Sequence, residues 1–209
     1  MENKDLLLRE YSLASNEELK ELSINKGLIA PFEPNSINNI ENVGKVVSYG
    51  LSQSSYDIRL GNEFKRFDRT KMTNWDIPVS ITTYLDPKEE LDDDLIGKVV
   101  IDDNEPFILY PNEFVLAHTI ETFNMPNNLT GFLYCKSTYA RLGLNMAPTV
   151  LKPGWKGVLT LELYNQSRFP IKLYVNEGIG TIYFLYNKIT NDEYNGKYQN
   201  QIGVTAHKP

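Results

Sequence analysis

From Lys98 onward the chain falls into short apolar runs, each too brief for a helix. Val99–Ile101, Phe107–Tyr110, Phe114–Thr119, Thr130–Tyr134, Val158–Asn165, Ile171–Val175 and Thr181–Tyr186 are separated by Asn104-Glu105-Pro106, Pro111-Asn112, Pro126-Asn127-Asn128 and Asn176-Glu177-Gly178. Runs rich in β-branched and aromatic residues between Pro, Asn and Gly predict strands, and many of them at close spacing predict an all-β sandwich or barrel. Hydrophobic residues make up 41% of the 209, enough to fill a real core.

Upstream, the pattern is less regular. Residues 1–12 read as a leader, mobile or docked on a partner. Ser15 followed by Glu18 is a capping-box signature, Leu19 and Leu22 follow at helical spacing, and Gly27 ends the one short N-terminal helix expected. Leu28–Phe32 leads into a loop reaching about Asn42. Val46–Phe67 holds the first strands, with Tyr56, Ile58 and Leu60 on one face and Asp57 and Arg59 on the other. The expectation for Asp57 and Arg59 is a mutual salt bridge at an interface. Residues 68–98 read as a polar surface excursion with one short strand at Val79–Leu85, and Asp92-Asp93-Asp94 as a solvated face.

Chemistry-bearing residues concentrate between Lys136 and Asn165. Ser137 and Thr138 precede Arg141 closely, Lys152-Pro153-Gly154-Trp155 is a turn signal, and Val158–Tyr164 is a strand with apolar residues on both faces. Glu162 interrupts that strand. A carboxylate there must be paired, protonated or used. From the residues alone two readings stand: a buried ion pair with Arg141, or a proton carrier. Ser137 and Thr138 likewise read as an N-cap of a helical turn or as groups that orient a ligand. Lys136 reads as exposed or as a phosphate contact, and Trp155 as packing beside its turn.

Composition excludes several function classes. A net charge of −6 argues against a broad nucleic-acid surface, though not against a local anion site. No apolar run approaches the ~20 residues of a membrane span. The N-terminus lacks the basic-then-apolar pattern of a secretory signal, so a cytoplasmic location is expected. The single cysteine, Cys135, forms no internal disulfide framework. Cys135, His118 and His207, without a Cys-x-x-Cys or His-x-Glu arrangement, fall short of the about four ligands of a zinc site. Hydrolytic chemistry is therefore expected to run without zinc, on carboxylates, hydroxyls and ordered water.

Four blocks carry a resemblance. SYGLSQSSYDIRLGNEF (Ser48–Phe64), KSTYARLGL (Lys136–Leu144), LKPGWKGVLTLELYN (Leu151–Asn165) and GKYQNQIGVT (Gly196–Thr205) occur in the order and spacing of the dCTP deaminase family, within the dUTPase-like superfamily. The TLE strand points to deamination among these relatives. The resemblance implies a distorted jelly-roll β-barrel or sandwich of the dUTPase-like type, assembled as a homotrimer with active sites between subunits. It divides the chain into a leader and short helix (residues 1–24), a β domain (25–188) and a C-terminal lid over the nucleotide (189–209).

The resemblance also implies roles. Glu162 would carry the proton, its pKa raised by apolar strand neighbours and lowered by Arg141, while Ser137 and Arg141 support the attacking water. Lys136, Thr138, Thr149, Lys152, Trp155, Tyr194, Lys197 and Gln201 fall at nucleotide-binding positions, the last three in the closing tail. Mg2+ would arrive as the triphosphate's counterion, with no protein-caged metal. Two positions depart from the family pattern. Lys152 stands where the family has an acid that meets the sugar, and a lysine cannot accept a hydroxyl's hydrogen bond. Met146-Ala147-Pro148 replaces more polar residues in the pocket hairpin, and Pro148 removes a backbone donor.

The expected activity is hydrolysis of dCTP to dUTP and ammonia. The alternatives are a non-catalytic nucleotide-binding protein that sequesters or senses its ligand, and a bifunctional enzyme that also cleaves dUTP. Lys152 weighs against the last, since it falls where the dUTPase branch carries its water-activating aspartate.

Overall fold

The computed structural model describes residues 12–67, 85–91, 95–102, 105–190 and 194–209. Most of the leader, nearly all of the Val79–Leu85 strand and the Asp92–Asp94 run lie outside the described residues.

Helix α1 (Asn16–Lys26) forms where its signals stand. The Ser15 hydroxyl accepts from Glu18 N at 3.3 Å, Ser15 N donates to the Glu18 carboxylate at 2.9 Å, and Gly27 closes the helix at φ 65°. Leu19, fully buried, ties the helix to the core. Then come β1 (Ile29–Ala30), β2 (Ile37–Ile40), β3 (Gly44–Leu51), β4 (Tyr56–Arg59), β5 (Glu63–Phe67), β6 (Ile96–Val100), β7 (Pro106–Leu109), β8 (Phe114–Asn124) and β9 (Leu129–Cys135). After a helical turn, α2 (Ser137–Ala140), follow β10 (Leu144–Met146), β11 (Thr149–Leu151), β12 (Lys156–Asn165), β13 (Ile171–Tyr174) and β14 (Gly178–Tyr186).

All pairings between these strands are antiparallel. One sheet runs β10-β12-β8-β5-β6, with β1 also on β8; the other runs β11-β9-β14-β4-β3-β2; β13 pairs with β7. Tyr56, Ile58, Leu133, Ile182 and Phe184 of the second sheet share one core with Phe64, Phe123, Leu161 and Leu163 of the first. The sheets therefore pack face to face as an open sandwich rather than a closed barrel. The alternation expected on β4 holds: Tyr56 and Ile58 are fully buried while Asp57 and Arg59 are half-buried.

Two strands, β1 and β2, fall in the region read as a loop, and β10 and β11 form the hairpin around Ala147-Pro148 that only the resemblance implies. Each is four residues or fewer, too short to show a period. β8 runs five residues past its expected end at Thr119, because an inward Glu121 interrupts its apolar pattern.

The expected bridge between Asp57 and Arg59 does not form. Arg59 Nε meets Glu121 Oε1 at 2.8 Å, and its backbone N–H donates to Glu121 Oε2 at 3.0 Å. Asp57 instead pairs with the Lys136 ammonium and accepts from the Thr181 hydroxyl at 2.6 Å. Side chains on one strand face, two residues apart, point the same way, and each finds its partner on a neighbouring element.

Candidate active site

β12 organises the site. Its Leu161 and Leu163 enter the core, while Val158, Thr160 and Glu162 lie on the other face. Two elements flank the strand along its edge: the β10–β11 hairpin at Glu162, where Ala147 N donates to Glu162 O at 3.0 Å, and the C-terminal tail at the strand's start.

The tail docks by backbone and amide bonds. Asn200 N donates to Lys156 O at 2.8 Å, Val158 N to Gln201 O at 3.0 Å, and the buried Gln201 amide to Val158 O at 2.7 Å. The Trp155 indole N–H donates to Tyr198 O at 2.9 Å, and Gln199 bridges Lys156 N and Gly154 O. Gly157 permits this approach: its φ is 148°, and a Cβ there would lie 3.0 Å from both Gln201 N and Gln201 O.

Between hairpin, tail and residues 85–91 lies a cleft of about 1220 Å³. It brings together Glu162, Thr149, Lys152, Trp155, Tyr194, Lys197 and Gln201. Lys152 Nζ stands 5.7 Å from the Tyr194 ring centroid and Lys197 Nζ 5.5 Å from that of Tyr198, so both ammoniums lie against aromatic rings on the tail. Trp155 is buried, as its turn predicted. Gln201 spends its amide on the tail's own docking, and Thr149 Oγ1 makes a long bond to Ala147 O at 3.4 Å.

Glu162 is half-buried, and its Oε2 is buried with no hydrogen-bond partner among the described residues. Burial pushes its carboxyl above the ordinary carboxylate range; its own backbone N–H and the Thr149 hydroxyl oppose the shift. The ion pair with Arg141 does not form, so Arg141 does not lower this pKa within the subunit.

Ser137, Thr138, Arg141 and Lys136 do not line the cleft. They stand on and before α2, where Ser137, Thr138 and Arg141 are all exposed. Ser137 is not an N-cap: the cap residue is Lys136, whose side chain makes no capping bond. Nor is Lys136 exposed. It is buried in its pair with Asp57.

The cleft also holds residues that the sequence reading did not single out as ligand contacts. Asp86, Glu89 and Glu90 line it from a segment without periodicity, and His207 lines it from the tail. In the sequence His207 offers only a zinc-donor reading, and its position gives no other signal. Among the described residues no group of three or more His, Cys, Asp or Glu side chains is placed to hold a metal ion, and no helix is long and apolar enough to cross a membrane.

A family model described as dCTP deaminase-like matches residues 13–186. The chain belongs to the dCTP deaminase-like family. A dCTP deaminase of Campylobacter concisus is 41% identical over a 199-residue alignment that covers 92% of this chain and 96% of that protein. One of Chlamydia abortus is 37% identical over 200 residues, 93% of this chain and 98% of the relative. The crystal structure of the 2'-deoxycytidine 5'-triphosphate deaminase of Agrobacterium tumefaciens superposes with a TM-score of 0.58 at 14% identity, over 86% of this chain. The superposition spans 49% of that longer chain, and at this identity the likeness shows the fold. The family match ends at Tyr186, so this member of the dCTP deaminase-like family builds part of its cleft from a tail beyond the matched span.

Proposed function

We propose that this protein is a dCTP deaminase, hydrolysing dCTP to dUTP and ammonia without zinc, with Glu162 as the proton carrier. The observation that carries the reading is Glu162 itself, a carboxyl held in the cleft with an unpartnered buried oxygen and a raised pKa. A buried carboxylate needed only for stability would have a partner. The curated relatives, named dCTP deaminases over nearly their whole length, support the same reading.

Glu162 takes a proton from water as the oxygen adds to C4 of cytosine. It returns that proton to the ring nitrogen N3, then carries the remaining hydroxyl proton to the 4-amino group, so that the C4–N bond breaks as the C4 carbonyl forms and ammonia leaves. Its raised pKa suits both directions of transfer. Lys152 and Lys197 meet the phosphates, Thr149 the base, and Trp155 holds the tail that closes the cleft. Mg2+ enters with the triphosphate as its counterion. The proposed organisation is the one above: a leader with short helix, a β domain and a closing tail, in a cytoplasmic enzyme.

Ser137, Thr138 and Arg141 act on a neighbouring subunit's cleft in a homotrimer. Support comes from the outer face of the second sheet. There β9 and β14 present Phe132, Tyr134 and Tyr183, with Tyr134 52% exposed and edge-on to Tyr183 at 6.1 Å, and β9 leads directly into α2. Covering this apolar row with a second copy would carry α2 into the interface.

Ammonia and uracil-nucleotide release from dCTP, CTP and dCMP with Mg2+ tests the reading, wild type beside Glu162→Gln. Turnover of dCTP that the variant loses is expected. Nucleotide binding with no turnover on any substrate would favour the second reading, a sequestering or sensing module, which the cationic Lys152 beside Tyr194 supports.

A further inference from the structure

His207 has no task in the scheme above, yet it lines the cleft and its Nε2 is buried with no hydrogen-bond partner among the described residues. A buried ring nitrogen left unpaired is destabilising unless a ligand or water completes it. The chain around it is pinned. Thr205 N donates to Thr160 Oγ1 at 3.2 Å, two residues before it. Just after it, Lys197 and Lys208 clasp each other: the Lys197 ammonium donates to Lys208 O, and Lys208 Nζ donates to Lys197 O at 3.3 Å. The clasp sets His207 beside Lys197, on the cleft that also holds Lys152. The cleft also holds acidic groups, Asp86, Glu89 and Glu90 on residues 85–91, whose Leu91 packs against the same small apolar cluster as Ala206, and Glu162 on β12.

We propose that His207 is a phosphate-binding residue, its Nε2–H donating to a polyphosphate oxygen of the bound nucleotide between the Lys152 and Lys197 ammoniums. The cleft-lining position and the missing partner call for an acceptor, and Lys197, clasped to the next residue, with Lys152 in the same cleft selects an anionic one. The proposal rests on the cleft being the nucleotide site, but the residue can be tested apart from turnover.

Titration calorimetry on the full chain, with inorganic triphosphate and with deoxycytidine as probes, compares wild type, His207→Phe and His207→Gln. Phe keeps a ring against the tail without the donor, while Gln restores a donor. The expected result is triphosphate binding about tenfold weaker in the Phe variant, largely recovered in Gln, with deoxycytidine unaffected. Four results overturn the proposal: no triphosphate binding by wild type, unchanged affinity in Phe, a Gln variant as weak as Phe, or an equal loss for deoxycytidine. Triphosphate binding of the expected pattern without dCTP turnover would leave the His207 assignment standing and defeat only the deaminase.

Discussion

Two carboxyls on neighbouring strands of the same sheet have opposite fates. Glu121 on β8 is fully buried and spends both oxygens on Arg59, one on the guanidinium and one on the backbone N–H. Glu162 on β12 is half-buried in the cleft, with Oε2 unpartnered. Burial raises the pKa of both, and only Glu121 has a cation to oppose the shift. A paired buried carboxylate holds strands together; an unpaired one at a cleft is available for chemistry.

The largest effect expected from breaking this contrast is on turnover. Glu162→Gln should lower kcat by about a thousandfold with little loss of nucleotide affinity, measured by ammonia release and by calorimetry. The matching change at the other carboxyl should act on stability alone. Arg59→Ala leaves Glu121 buried without its cation, and urea unfolding should show a loss of about 3–5 kcal/mol. The double replacement Arg59→Met with Glu121→Leu should recover most of it, and a double variant no better than the single would deny that the unpaired charge is the cause.

A smaller effect is expected at the tail that walls the Glu162 cleft. Trp155→Phe keeps the ring but loses the indole bond to Tyr198 O, a cost of about 1 kcal/mol. Limited proteolysis should then release the tail faster, and KM should rise more than kcat falls.

The smallest effect separates the carboxyls by pH. A carboxyl raised by burial binds its proton more tightly folded than unfolded. Glu162 therefore contributes stability that is present below its unfolded value and lost as pH rises through its raised folded value. Melting temperature against pH, wild type minus Glu162→Gln, should fall across that window. Because Glu121 titrates in both proteins, the difference isolates Glu162, and parallel curves would mean that Glu162 is not raised. The acid limb of kcat should likewise lie above that of an ordinary carboxylate, since the base must first lose its proton.

Much of this was legible in order along the chain. A period-two pattern marks β4, apolar runs between turn residues mark the longer strands, the capping box and Gly27 bound α1, and one acid in an apolar strand marks Glu162, because these signals lie within a few residues of one another. Strands of two to four residues carry no period, so the residue pattern does not show β1 and β2, and β10 and β11 come only with the resemblance. The pairings of Asp57, Arg59, Lys136 and Glu121 join residues from 62 to 124 positions apart. Nothing local specifies which charge meets which. The resemblance gathers Lys136, Ser137, Thr138 and Arg141 with Glu162 at sites between subunits; within one subunit α2 carries three of them to solvent, and Asp57 takes Lys136. Residue types and short-range order come from the sequence by itself. Which carboxyl is paired and which is left free was decided only when distant strands came together, because an ion pair depends on proximity in space.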